Sequence, residues 1–325
     1  MKKTLIASAI AAATLSTSAF AMDAATDLAE MLESMPEIYG NIQLAHATTD
    51  TDGVGGAPDK TTHELEDNGS TIGFKHSSAI SEGVEAFFKA EFEFEADDED
   101  SSTGLSKVDE AYIGVKGEFG SIQAGTDDTV YEWVDMVDTS EFTGINGGEI
   151  AALKEGDNIQ YVSPEIADGL IVGVTAPVDS DTAFGGAIAA KYAADNLEVA
   201  LAYSLGREEG TVDAEDTIGL AGTYSMDDIT LIGQYETNDD LDFIGVQGMY
   251  TMGQNVFALG YGLTTFDDSS LEDQSSIYVQ ALHNLSDNMY VYLEYTTTTD
   301  FLAEDAIAND GVDKDQLALG ATYAF

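Results

Sequence analysis

The sequence predicts an all-β fold, a transmembrane antiparallel β-barrel of about sixteen strands. Three observations carry this prediction. Apolar residues recur with period two in segment after segment, short polar connections alternate with long ones, and the faces opposite the apolar ones carry ionised residues and Gly. A helical route across a bilayer is excluded. After Ala21 the longest apolar run, Gly169 to Val178, is too short to span and contains Pro177.

Composition narrows the function classes. Against 61 Asp and Glu stand 11 Lys and Arg, a formal charge of -50. No basic face can be built to neutralise phosphates, so nucleic acid is not a partner. The absence of Cys removes disulfides, thiolate metal sites and cysteine nucleophiles. With 44% hydrophobic residues, 32 Gly, 15 Tyr and 14 Phe, the chain is nevertheless rich enough to fold.

The N-terminus reads as a secretory signal peptide over residues 1–21. Lys2 and Lys3 precede an apolar stretch from Leu5 to Leu15, and Ala19-Phe20-Ala21 forms a small-x-small cleavage site. Removing those two lysines takes the formal charge from -50 to -52. Residues 22–36 form a short extension predicted to be helical, with Leu28, Met31, Leu32 and Met35 on one face and Pro36 ending it. The barrel occupies 37–325.

Candidate strands lie near 37–47, 70–77, 83–95, 108–116, 119–126, 157–163, 169–177 and 184–193, then near 196–205, 216–225, 228–236, 241–251, 255–264, 275–284, 288–297 and 315–325. The pattern is plain in Val84, Ala86, Phe88, Ala90, Phe92 and Phe94, which alternate with Glu85, Phe87, Lys89, Glu91 and Glu93. Strands between 169 and 236 are Ala- and Gly-rich and carry the weakest alternation. A soluble sandwich would bury each apolar face between sheets. The barrel fits better, because several strands reach the span of a tilted membrane strand and their second faces are charged. Aromatics also crowd strand ends at Tyr39, Phe119, Tyr161, Tyr192, Tyr224, Tyr250, Tyr295 and Tyr323, as an interfacial girdle requires.

Five segments, in order, resemble the general porins of Gram-negative outer membranes. They are Pro36-Glu37-Ile38-Tyr39-Gly40-Asn41-Ile42, Ser70 to Lys75, Ala111 to Ile122, Asn158 to Pro164, and the terminal Gly320-Ala321-Thr322-Tyr323-Ala324-Phe325. The resemblance implies a third loop, about Asp127 to Gly156, folded into the barrel to narrow it. That loop offers Glu132, Asp135, Asp138, Glu141 and Glu149 to a constriction, with Trp133 and Phe142 as wall anchors. Ser140-Glu141-Phe142-Thr143-Gly144 is similar to the family's Pro-Glu-Phe-Gly stretch, but lacks the Pro and the first Gly. The resemblance places Lys75, Lys89 and Lys116 on the opposite wall. A lipid-facing lysine costs about 2–4 kcal/mol at the midplane, so the lumen suits them. The alternative is three ordinary lumen charges paired with Glu85 or Glu91. The resemblance further implies a homotrimer in outer-membrane lipid and lipopolysaccharide, and an assembly machinery that reads Gly320, Tyr323 and Phe325.

The function implied is passive diffusion of small hydrophilic solutes and ions through a water-filled channel. The acid excess points to a preference for cations. A substrate-specific channel, for oligosaccharides for instance, is the alternative, with Tyr278, Tyr290 and Tyr292 as lumen aromatics. A non-channel surface protein is a third reading. Catalysis finds no support, because His46, His63, His76 and His283 are scattered and no Gly-x-Ser-x-Gly occurs. Asp50 to Gly55 opens like a calcium loop, but its twelfth position is Thr61, so no metal or cofactor is implied. Asp97-Asp98-Glu99-Asp100 reads as a solvated loop.

Overall fold

The computed structural model describes residues 35–53, 58–98, 104–137, 139–145, 150–151, 153–179, 183–209, 212–301 and 312–325. The signal peptide and residues 22–34 of the expected helical extension lie outside them.

The strands are β1 (Glu37–Thr51), β2 (Lys60–Asp67 continuing as Thr71–Ser81), β3 (Val84–Phe94), β4 (Leu105–Gly117), β5 (Gly120–Thr126), β6 (Asn158–Val162), β7 (Leu170–Pro177) and β8 (Phe184–Ala194). The second half holds β9 (Leu197–Gly206), β10 (Thr217–Met226), β11 (Ile229–Thr237), β12 (Leu241–Met252), β13 (Asn255–Phe266), β14 (Gln274–Ser286), β15 (Met289–Phe301) and β16 (Val312–Ala324). Each pairs antiparallel with its chain neighbours, and β16 returns to β1 from Asn41↔Ala324 to Thr51↔Lys314. Phe325 and Gly40 exchange both backbone hydrogen bonds at that seam, at 3.0 and 3.2 Å. The sheet therefore closes and leaves no edge, the condition for strands in lipid. Every one of the sixteen predicted strands coincides with an observed one.

One end of the barrel is drawn together by tight turns. Asp195 and Asp227 sit there at φ 47° and 51°, a left-handed geometry that short polar side chains tolerate. The other end carries the long connections.

The faces are inverted relative to a soluble protein. Ile113, Leu259 and Leu319 point outward and are 70%, 60% and 60% exposed, whereas Gln234, Glu236, Gln280 and Glu294 on inward faces are buried. In a bilayer that exterior is the favourable one. Near the tight turns Phe119, Tyr161, Tyr192, Tyr224, Tyr250 and Tyr323 face outward, and the Tyr161 hydroxyl donates to the Phe119 carbonyl at 2.9 Å. Toward the long loops Tyr235 and Tyr295 donate across the sheet to Asp242 and Asp315 at 2.8 and 2.9 Å, and Tyr203 donates to Asp216 in the same way. Tyr39 departs from the expected girdle. It shares the inward face of Glu37, and its ring covers Gly73 across the β1–β2 pair, where a Cβ would overlap it.

Two local irregularities shape the interior. In β2, the Asp67 carboxylate accepts the N–H groups of Gly69 and Ser70, both at 2.9 Å, and Gly69 turns at φ 80°. The Asn68 amide is thereby swung inward, where it donates to the carbonyl of Glu141. In β4 the register slips between Ala90↔Ala111 and Phe92↔Val108. That bulge puts Asp109 and Glu110 together against Glu91 on the lumen face.

Candidate functional site: the lumen and its third loop

The third loop joins β5 to β6 and lies inside the barrel. Its base is closed by the Asp127 N–H donating to the Glu155 carbonyl at 3.2 Å. A short 3-10 helix follows, Val130–Val134, started by a reciprocal cap: the Thr129 hydroxyl accepts from Tyr131 N–H, and the Glu132 carboxylate accepts from Thr129 N–H at 2.7 Å. Val130, Tyr131 and Val134 are fully buried against Phe184, Ala187, Ala189, Ala200, Ala202 and Ala221 of the wall. Trp133 packs at the edge of this cluster, with the Lys191 ammonium 5.6 Å from its ring centre.

Close approach is possible because the wall is thin where the loop touches it. A Cβ on Gly173 would stand 2.6 Å from Val130, one on Gly245 2.7 Å from Val137, and one on Gly260 2.5 Å from Ile145. These glycines serve packing, since a methyl group at each would displace the loop.

Two buried carboxylates hold the loop. Glu236 of β11 accepts the Tyr131 hydroxyl at 2.6 Å and the Ile150 N–H at 3.3 Å. Glu294 of β15 accepts the N–H groups of Glu141, Phe142 and Thr143 at 2.6, 2.9 and 3.0 Å. It also accepts the Tyr278 hydroxyl at 3.1 Å and the Gln280 amide at 2.8 Å. Between the two, the Gln234 carbonyl accepts the N–H groups of Met136 and Val137 at 2.8 and 2.9 Å. Backbone donors thus stand in for water around a charge that would otherwise be costly to bury.

The predicted loop residues take distinct places. Glu132 caps its helix, and Asp135 is exposed at the helix end. Glu141 accepts the Tyr290 hydroxyl at 2.6 Å, and burial pushes its pKa above the ordinary carboxylate range. Asp138 and Glu149 lie outside the described residues. Phe142 anchors against Ala45, Tyr292 and Ala318. Tyr278 and Tyr292 do face inward, but they are buried under the loop.

The loop runs along β7 to β16, reaches Ala45 of β1 and Asn68 of β2 through Phe142 and Glu141, and leaves bare the inner faces of β3 to β5 and the adjoining tight-turn halves of β1 and β2. Here stand the three predicted lysines, each with a carboxylate: Lys75 with Glu37 at 3.7 Å, Lys89 with Glu110 at 2.5 Å and Lys116 with Glu85 at 3.1 Å. Pairing with Glu85 follows the alternative reading of the sequence. Oxygens of Glu91, Asp109 and Glu110 lie within 4.8 Å of one another above them. Asp127, at the root of the loop, has its pKa raised to about 7 by burial first and then by the charge of Glu110. At the C-terminus, Gly320 is covered by the Tyr292 ring, Tyr323 faces outward and Phe325 joins the seam.

A sheet closed on itself, apolar outside and crossed by an inward loop, is the geometry of an outer-membrane channel. Comparison with known families matches residues 7–301 to the Gram-negative porins. The chain belongs to the Gram-negative porin family. A curated relative named monosaccharide porin, from a Halomonas species, is 30% identical over 385 aligned positions and matches along the full length of both chains. Among solved structures, the anion-selective porin from Comamonas acidovorans superimposes with a TM-score of 0.74 at 17% identity, covering 89% of this chain and 99% of its own. OmpT of Vibrio cholerae, an outer membrane protein solved in a trimer form, has a TM-score of 0.66 at 18% identity, covering 90% and 99%. This porin therefore resides in the outer membrane.

Sequence reasoning missed the residues that fasten the porin's loop. Glu236 and Glu294 looked like any other lumen acid among 61. A usable signal was present in Gln234-x-Glu236 and in Gln280 beside Glu294 across β14–β15, where an amide stands beside an acid on one inward face.

Proposed function

We propose that this porin forms a water-filled channel for passive diffusion of small hydrophilic solutes and ions, with a preference for cations. The observation that carries the reading is the charged inner wall that runs from the tight-turn half of β1 to β5. On it Glu37, Glu85, Glu91, Asp109 and Glu110 outnumber Lys75, Lys89 and Lys116. The loop acids Glu132, Asp135, Asp138, Glu141 and Glu149 are assigned to the constriction in the same proposal; of these, Glu132 caps the loop helix and Glu141 is held by the Tyr290 hydroxyl. An excess of carboxylate raises the local concentration of cations and repels anions. The anion-selective relative shares the fold at an identity too low to carry its preference over. Reversal potentials under a KCl gradient test the proposal, and a preference for chloride would overturn it.

Several further assignments belong to the same proposal. Residues 1–21 are a cleaved export signal, and Gly320, Tyr323 and Phe325 are the segment read during assembly. The working unit is a homotrimer in lipid and lipopolysaccharide, supported by the trimer form of OmpT. The chain does no catalysis.

A second reading, selective sugar uptake, draws support from the name of the Halomonas relative. A sliding path along Tyr278 and Tyr292 does not serve it, because the loop covers both side chains. Swelling of liposomes in a series of sugars distinguishes the readings: saturable uptake of one sugar class favours selectivity.

A further inference from the structure

On the tight-turn side of the loop, the bare wall holds a recess of about 480 Å³ lined by Lys75, Phe87, Lys89, Tyr112, Lys116 and Ser121. Its size falls in the range of small-molecule sites, about 300–1,000 Å³. Phe87 is the one aromatic residue on the charged face of β3. Its ring covers Gly114, where a Cβ would overlap it, and meets Tyr112 edge-on at 6.1 Å and 80°. The glycine and the edge contact hold the ring in one orientation, half-buried, with the Lys116 ammonium 5.9 Å from its centre.

The charges around the ring are matched in pairs: Lys75 with Glu37, Lys89 with Glu110, Lys116 with Glu85. A single pairing leaves most hydrogen-bonding capacity unused, since an ammonium carries three N–H groups and a carboxylate about four lone-pair sites. An ion entering the recess must compete with a pair already formed. A zwitterion must break one. A neutral molecule rimmed with hydroxyls does neither, because each hydroxyl accepts from the ammonium or donates to the carboxylate while the pair stays intact. If that molecule is also a ring with an apolar C–H face, it covers Phe87 and removes apolar surface from water.

We propose that this recess is a monosaccharide subsite. It takes a neutral hexopyranose, with its C–H face on Phe87 and its hydroxyls bridging the Lys116–Glu85 and Lys75–Glu37 pairs. The proposal rests on the channel reading, and it places the subsite beyond the constriction, beside the tight turns. Binding there is weak by construction, as passage requires, because no charge is neutralised and one side stays open to the lumen.

The test uses the refolded full-length protein in a planar bilayer, with KCl current as the readout. D-glucose is expected to lower the conductance and to saturate. Mannitol, a linear polyol with no ring face, is expected to lower it only in proportion to viscosity. Phe87→Leu keeps an apolar side chain but loses the aromatic face, and should raise the half-blocking glucose concentration about fivefold at unchanged KCl conductance. Lys116→Gln should act in the same direction, and carries the comparison if the Phe87 variant fails to conduct. Identical behaviour of glucose and mannitol would overturn the proposal. So would saturation by glycine, a zwitterion, in place of glucose, or unchanged block in both variants. A wild-type protein that conducts no ions at all would overturn the channel reading itself.

Discussion

The hydroxyl of Tyr131 donates to the carboxylate of Glu236 across 2.6 Å, joining the loop helix to a strand formed 105 residues later. Tyr131→Phe keeps the ring in its buried cluster and removes one donor from a buried carboxylate. The expected cost is about 1–3 kcal/mol. It should appear as a lowered unfolding temperature and as added noise in the open-channel current.

Glu294 carries more of the loop. Glu294→Ala removes the acceptor for three successive N–H groups and leaves them with no partner in the wall. Single-channel conductance should rise as the loop leaves the wall. Glu294→Gln retains a carbonyl acceptor and should fall between the two. An unchanged conductance in the alanine variant would show that the remaining contacts, among them Phe142, Tyr290 and Glu236, suffice to keep the loop in place.

The wall glycines predict a reciprocal pair. Gly245→Ala sets a methyl group 2.7 Å from Val137, an overlap worth about 1–3 kcal/mol. Val137→Ala opens space at the same point. Combined, the two substitutions should be less damaging than the sum of the singles, and thermal melts of the four proteins measure the difference.

Asp127 predicts a pH step. Its pKa of about 7 is raised by burial, with the Glu110 charge second, so it is neutral below that pH and negative above it. Cation selectivity should therefore increase as pH rises through 7. Asp127→Asn should remove the step while leaving selectivity at pH 5 unchanged. For stability the sign is opposite: the raised pKa means that the folded chain holds this proton more tightly, so the contribution is largest at low pH and declines from about pH 4 to 7.

Neutralising the wall lysines isolates their part in ion preference. Lys89→Gln leaves Glu110 unpaired beside Glu91 and Asp109. The potassium-to-chloride permeability ratio should rise, and it should rise further with Lys75→Gln added. Reversal potentials at low and high salt check both, and the difference should shrink at 1 M KCl, where screening acts within about 3 Å.

Period two made the barrel legible, because lipid and water impose opposite demands on alternate residues of the same strand. Leu293 and Glu294 show the contrast within one dipeptide. The strands from 169 to 236 were faint for a specific reason. Ala187, Ala189, Ala200, Ala202 and Ala221 face a protein loop instead of water, so their inner faces are small and apolar in place of charged. Tyr39 misled because an aromatic at a strand end looks the same whichever way it points, and only the register with Gly73 settles it. The bulge that gathers Glu91, Asp109 and Glu110 has no signature of its own in so acidic a chain.

The carboxylates that seat the loop also order events in time. The loop is made well before its anchors, since Thr143 must wait for Glu294, 151 residues further along, in the penultimate strand. A nascent barrel lacking its last strands therefore holds only the first half of the loop, through Glu236, Gln234 and the cluster around Val130. The final narrowing of the passage belongs to the same late step that zips Phe325 onto Gly40. A chain truncated before β15 would lose its cylinder and the seat of Glu141 to Thr143 together.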